Sequence, residues 1–315
     1  MIGTPFTPHR AMRAFFCTTV TASTLALGIV LAGCQDSSDP TRPPTDPKGI
    51  LAAEVFDGHA NTRLRLYDIQ SGQELRAGPS ESGEPTIHGD HMIYTQRTGE
   101  GAHLILSDLR FESEAVLRPG VQDRETAARW SPDGLKVSFL VEGPEAGIWL
   151  SEIKGARSWR LLPDGFAPIQ GRHDWDGGRI VFESAMGGRG AILRSNGNLP
   201  PVPVHAPGHV VYHPRVSPNG RYIAVLAASE ARRWAEVVDR QRNVYYEVAG
   251  TTNADALAWS ESEELIVAVR EDSGDSVLKA WMPGSSVRRL FTIHGVIRSM
   301  EISDESMQKV CYTAP

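Results

Sequence analysis

One phrase returns along the chain at a nearly fixed interval. Trp130-Ser131-Pro132-Asp133-Gly134 opens the stretch WSPDGLKVSF, and RVSPNGRYIAV repeats it with Ser217-Pro218-Asn219-Gly220. With Trp130 as anchor, the matching positions are Ile87, Trp175, Val216, Trp259 and Ile302. The steps along that series are 43, 45, 41, 43 and 43 residues. A regular period of this size marks copies of one supersecondary unit, none of which can bury its apolar surface alone.

Each unit reads as β structure. The anchor residue ends a short strand, and a polar turn follows. Proline presets φ for the first central turn position, and Asp or Asn followed by Gly accepts the geometry beyond it. A continuous apolar run comes next, as in Val137–Val141, Ile180–Glu183, Ile223–Ala227 and Leu265–Val269. A third strand and a more polar fourth complete the unit, for example Ala235–Asp239 and Val244–Val248. Helical periodicity is scarce. Four strands in about 43 residues, repeated, predict a β-propeller of four-stranded blades.

Ring closure sets the number of blades. Residues 51–78 supply a second, third and fourth strand but no first, while residues 298–315 supply a first strand and a second. The two ends are therefore expected to share the closing blade. The stretch 49–315 holds about 6.2 units of 43 residues, which favours six blades. A second strand in both terminal fragments leaves seven open.

The phrases WSPDGLKVSF, SPNGRYIAV and DWDGGRIVF resemble the repeats of the TolB-type propeller, across residues 49–315. Related repeats occur in the propellers of prolyl-oligopeptidase-like enzymes and tricorn-like proteases. The resemblance implies a fold. It does not imply an activity, because one fold hosts many functions. TolB carries an α/β domain before its propeller, where this sequence has only a short polar stretch. The peptidases carry a hydrolase domain with a Gly-x-Ser-x-Gly elbow, and no such motif occurs here.

The first 33 residues read as a lipoprotein signal peptide. Residues 1–13 carry Arg10 and Arg13 and no acid, and residues 14–33 are apolar or small and uncharged. The run ends in Leu31-Ala32-Gly33-Cys34, which resembles the bacterial lipobox and marks Cys34 for lipidation. Residues 34–48 are rich in Pro, Asp and Ser and read as a solvated tether. Three cysteines occur, at 17, 34 and 311. Once Cys17 and Cys34 are accounted for, no disulfide is possible within the propeller, and Cys311 reads as a small buried residue. Removing residues 1–33 leaves 30 basic and 38 acidic side chains with no basic run. Nucleic acid, which needs a clustered positive footprint, is thereby excluded as a partner.

Candidate sites are sparse. His205, His209 and His213 lie four residues apart, but Pro207, Gly208 and Pro214 argue against the helix that would gather them. No metal or cofactor is expected; were a metal bound, these three would be its ligands. The oligogalacturonate lyases, which have a related propeller with a histidine-bound metal, supply the alternative, although their ligand pattern has no residue-by-residue match here. Asp133, Asp176, Asn219 and Asp304 recur at turn positions and read as turn chemistry. Trp130, Trp149, Trp175 and Trp259 read as packing between blades. Arg232-Arg233-Trp234 reads as a solvated loop.

The expected whole is a monomeric, lipid-anchored envelope protein on the outer membrane's periplasmic face or at the cell surface. It binds a protein or peptide and catalyses nothing; the alternative is a metal-dependent polysaccharide lyase or hydrolase acting at the channel mouth. Mass spectrometry of the membrane-extracted protein should find a chain that begins at an acylated Cys34. An unmodified chain beginning upstream of residue 34 would refute the lipid anchor.

Overall fold

The computed structural model describes residues 47–58, 61–119, 124–153, 157–161, 172–186, 189–198 and 200–304. All belong to one compact unit, Arg42–Pro315. Cys34, Cys311, Val310 and Tyr312 lie outside the described residues, as do the signal segment and most of the tether.

Twenty-four strands form six four-stranded sheets, and no helix occurs among the described residues. The first blade comprises β1 (Ile50–Phe56), β2 (Thr62–Asp68) and β3 (Glu74–Ser80). The second holds β4 (Ser82–His88), β5 (His91–Thr98), β6 (Gly101–Asp108) and β7 (Glu114–Val116). The third holds β8 (Arg124–Trp130), β9 (Lys136–Glu142), β10 (Gly147–Glu152) and β11 (Ser158–Arg160). The fourth holds β12 (His173–Asp176), β13 (Arg179–Met186), β14 (Arg189–Ser195) and β15 (Val202–His205). The fifth holds β16 (Val210–Val216), β17 (Tyr222–Ala228), β18 (Arg233–Asp239) and β19 (Val244–Glu247). The sixth holds β20 (Ala254–Trp259), β21 (Leu265–Arg270), β22 (Ser276–Trp281) and β23 (Arg288–Ile293). Last comes β24 (Val296–Ser303), which pairs with β1 and completes the first blade in the order β24-β1-β2-β3. The ring thus has six blades, not seven, and the chain ends share one of them. The second strand expected after β24 falls on undescribed residues.

Contacts between blades run through β24, β4, β8, β12, β16, β20 and back to β24. These six strands therefore surround the axis. The outer strands β7 and β19 are exposed throughout.

Side-chain alternation explains why the second strand of each blade is apolar without interruption. Successive residues of a strand face opposite sides of the sheet. In β17, Tyr222, Ala224 and Leu226 pack toward the sixth blade, while Ile223, Val225 and Ala227 pack toward the fourth. Six clusters of buried side chains result, each spanning the boundary between two neighbouring blades. A half-exposed sheet would show polar residues at every second position. These strands cannot, because both faces are covered.

The recurring turn is a hydrogen-bonded unit. Ser131 Oγ donates to Asp133 Oδ1 (2.6 Å) and accepts from Lys136 N (2.9 Å), while Asp133 Oδ1 also accepts from Leu135 N (3.0 Å). Ser217 and Asn219 repeat the pattern at 2.8 Å. Gly134 and Gly220 have φ of +67° and +69°, and a Cβ at Gly134 would stand 2.2 Å from His88 Nε2. The positive φ is what calls for glycine at Gly134, since the exposed His88 ring can swing aside. Asp176 departs from the expected turn role. It ends β12 and binds Arg240 Nη1 (2.7 Å) of the fifth blade and Arg194 Nη1 (3.3 Å). Arg233 and Trp234, expected in a loop, belong to β18, and Trp234 is buried. The loop reading failed because the turn before β18 is only a few residues long.

β24 closes the ring with Ile297, Met300 and Ile302, all buried against the sixth blade. Losing three such side chains costs roughly 5–9 kcal/mol, which is comparable with the whole stability of a typical domain. Truncation before Val296 should therefore abolish the cooperative urea transition. A truncated chain with an unchanged midpoint would show that β24 is accessory.

Candidate functional site

Four of the six axial strands place a charged side chain at equivalent positions. One residue before the anchor stand Thr86, Arg129, Asp174, Arg215, Ala258 and Glu301, around the ring in that order. Three residues before it, Glu84, Ala127 and His213 adopt φ of +54°, +52° and +52°. The ladder slips at these places, between Gly83 and Thr86, Thr126 and Arg129, and Tyr212 and Arg215. Each is a β-bulge, which turns a backbone N–H out of its own sheet.

A carboxylate from a neighbouring blade receives each of these N–H groups. Glu54 Oε2 on β1 accepts from Glu84 N (3.0 Å). Glu84 Oε2 accepts from Ala127 N (2.8 Å). Glu183 Oε2 on β13 accepts from His213 N (3.0 Å). Gly83 is required here, since a Cβ would lie 2.3 Å from the Glu54 carboxyl carbon. Ser299 Oγ on β24 also donates to Glu54 Oε2 (2.6 Å), so the closing strand enters the same network.

Buried carboxylates call for cations. Glu84 Oε1 lies 3.1 Å from Arg172 Nη2 and 3.7 Å from Arg97 Nη2. Burial raises the Glu84 carboxyl, but Arg172, Arg97, the Ala127 N–H and Thr95 outweigh it and hold the group below its ordinary value. Glu301 Oε2 lies 3.5 Å from Arg215 Nη1. Burial raises the Glu301 carboxyl against the pull of Arg215 and Arg129. Burial, reinforced by Arg172, Arg215 and Arg129, keeps His213 well below the ordinary imidazole range.

Two cavities lie along the axis. The central one, about 20 Å³, is lined by Arg129, Arg172, His213, Arg215, Arg298 and Ser299 among others. The second, about 320 Å³, opens at the end where the repeated turns lie. Trp130, Trp175 and Trp259 line it, with Pro132 and Pro218, the turn residues Ser217 and Gly220, and the charged Asp174, Arg215 and Glu301. The indoles also link blades: Trp175 Nε1 donates to Arg129 O and Trp259 Nε1 to Arg215 O, each at 3.0 Å. Trp149 stands apart on β10, where its Nε1 donates to Glu145 O (3.0 Å). A third cavity of about 480 Å³ lies between the third and fourth blades and shares Pro132, Trp175 and Gly177 with the mouth; Ser131 and Asp133 line it.

The three histidines do not converge. His205 and His209 both bind the buried carboxylate of Glu236 on β18, His209 Nε2 at 3.1 Å from Oε2, on the flank between the fourth and fifth blades. His213 lines the axial cavity instead. Among the described residues no group of three or more His, Cys, Asp or Glu is placed to hold a metal. The axial arginines and carboxylates escaped the reading of single motifs. They become visible once the units are aligned on the anchor and the position before it is read across blades.

No protein-family model matches the sequence, and no curated protein is similar to it. The fold is similar to solved structures. TolB from Acinetobacter baumannii aligns with a TM-score of 0.70 at 18% identity, over 82% of this chain and 67% of that one. A putative TolB from Agrobacterium tumefaciens gives 0.58 at 15% identity, over 81% and 94%. An oligogalacturonate lyase in complex with manganese gives 0.50 at 13% identity, over 72% and 70%. At such identities the likeness concerns the fold, and the TolB-like six-bladed propeller is the architecture of this chain.

The network makes Glu84 a stability determinant with a defined pH response. A carboxyl held below its unfolded value stabilises the fold above that value, about 4.3. The contribution is lost as pH falls through the lower folded value. Glu84→Gln should cost about 3–5 kcal/mol at pH 7, as for breaking one side of a buried pair. The gap to wild type in urea denaturation should narrow as pH drops below about 4.3. A gap that stays constant down to pH 3 would show that Glu84 is not held as a carboxylate by these partners.

Proposed function

We propose that this chain is a lipid-anchored propeller of the bacterial cell envelope that binds a protein or peptide at the turn-side mouth of its channel. The carrying observation is the cavity of about 320 Å³ walled by Trp130, Trp175 and Trp259 and rimmed by Pro132 and Pro218. A concave apolar wall with a few fixed polar groups is the usual form of a binding site. Tryptophan side chains dominate the energetics of many protein interfaces. Two of the indoles, Trp175 and Trp259, are also held by their bonds to neighbouring blades, so much of the wall is formed before any ligand arrives, which lowers the cost of binding. Acylation at Cys34 would hold the propeller at a membrane, and the polar residues 34–48 would give it reach.

The binding reading gains from the scattering of the histidines. A lyase of the manganese-bound kind needs its metal ligands in one place, and His213 stands apart from His205 and His209.

The test uses residues 47–315 without lipid, immobilised and exposed to envelope extract. Pro132 and Pro218 are exposed rim residues, so Pro132→Glu with Pro218→Glu should leave the fold intact. The double variant should capture the bound envelope protein about tenfold less well, the scale of one moderate interface hot spot. Capture unchanged by the double variant would refute the mouth as the binding surface. Cleavage of oligogalacturonate with stoichiometric manganese or zinc, both lost in His205→Ala/His209→Ala/His213→Ala, would put the lyase reading first.

A further inference from the structure

We infer that the centre of the channel is a binding site for one small monovalent anionic group, of the size of formate or a halide, held by Arg129. Four arginines line the central cavity: Arg129, Arg172, Arg215 and Arg298. Two of them have carboxylate partners, Arg172 with Glu84 and Arg215 with Glu301. Arg298 stacks over the Phe56 ring at 4.4 Å. Arg129 is 3% exposed and makes no ion pair with a carboxylate among the described residues, although Glu301 and Asp174 act on it from farther away. Its Nη1 donates to the carbonyls of Pro85 (3.0 Å) and Ala128 (2.8 Å), and its buried Nε has no partner.

A buried guanidinium without a direct ion pair is costly, because Glu301 and Asp174 offset its charge only from a distance and do not outweigh its burial. Asp174, the other acid at that level, already accepts from the backbone N–H of Val216 (2.8 Å) and Trp175 (2.9 Å). The strain appears in the proton affinity of Arg129, which burial first, and then Arg215, depress to about 9. Bringing an anion to this place supplies the direct counter-charge that Glu301 and Asp174 provide only at a distance, and it relieves the repulsion among the arginines. His213, kept neutral by burial and then by the same arginines, is a further lining group able to donate a hydrogen bond.

Size selects the ligand. A cavity of about 20 Å³ takes one water-sized group, given that a single water needs roughly 10–15 Å³. Phosphate, citrate or a sugar acid does not fit without displacing side chains. Arg215 lines both the central cavity and the mouth, so the group can arrive free or as the carboxylate of a segment entering from the mouth. The site does not depend on the mouth binding a protein.

The full chain in detergent is titrated with sodium formate and, separately, with the peptide N-acetyl-Gly-Gly-Asp, and thermal unfolding is followed. Saturable stabilisation by formate alone identifies a free anion as the ligand; tighter binding of the peptide identifies a partner-borne carboxylate. Arg129→Met should weaken whichever binds by about tenfold or more, the scale of one charge-assisted hydrogen bond. Should that variant fail to fold, wild-type crystals soaked in bromide give a second readout. An anomalous peak beside Arg129 Nε is the expected result. Absence of stabilisation by both ligands, or a central cavity without bromide at saturation, would overturn the inference.

Discussion

Everything in this molecule depends on one constraint: a four-stranded sheet has two faces and cannot cover either of them. Burial is therefore shared between blades. Each of the six clusters of buried side chains joins two neighbours, and removing any one blade would expose two interfaces. The closing contact is made by β24 and β1 in a seven-pair antiparallel register from Ile50–Ser303 to Phe56–Val296. This is a latch of backbone hydrogen bonds and apolar side chains. Its loss is not a local event, because the ring has no other way to cover its first and sixth blades.

A ring built this way brings six sheet edges together at the axis. An edge strand presents backbone groups with no strand to pair with, and buried N–H groups must be satisfied. The bulges at Glu84, Ala127 and His213 turn an N–H toward the preceding blade, where Glu54, Glu84 and Glu183 accept it. The carboxylates bring charge to the axis, and Arg97, Arg172 and Arg215 follow to balance it. The charged channel is thus a consequence of closing a ring of sheets. Arg129 is buried without an ion pair among the described residues, which sets it apart from those three arginines.

The fold was legible because its signals are local. A Ser-Pro-Asp-Gly turn satisfies its own hydrogen bonds within six residues, so its chemistry can be read from the stretch itself, and its recurrence every 43 residues or so supplies the architecture. The terminal clasp was legible from strand counting. The axial network was not, because its partners sit on different blades: Ala127 meets Glu84 across 43 residues, and Arg215 reaches Met300 O across 85. Nothing near either residue in sequence announces that contact. Asp176 shows the opposite failure. It occupies a turn-like phrase, DWDGG, yet Arg240 of the next blade outcompetes local backbone N–H groups for its carboxylate. The histidines misled by spacing alone. Intervals of four gather side chains on a helix, but these residues sit on an outer strand, a connection and an axial strand.

The mouth of the channel owes its shape to the same structural demands. Trp175 and Trp259 are placed where their N–H groups reach the carbonyl of the preceding blade, and their rings then wall the cavity as a by-product. Residues that hold blades together cannot vary freely without loosening the ring, so the indole wall is a fixed background. On the proposed reading, discrimination between ligands would come from side chains at the mouth that are exposed. Pro132, Pro218 and Glu261 are of that kind. Pro132 and Pro218 follow a serine that anchors its turn through its own Oγ, so the side chain after the serine can change without undoing the turn's hydrogen bonds. Such a division leaves a rigid apolar floor beneath a rim free to be retuned, and it lets one propeller scaffold carry different partners with little change in its stability.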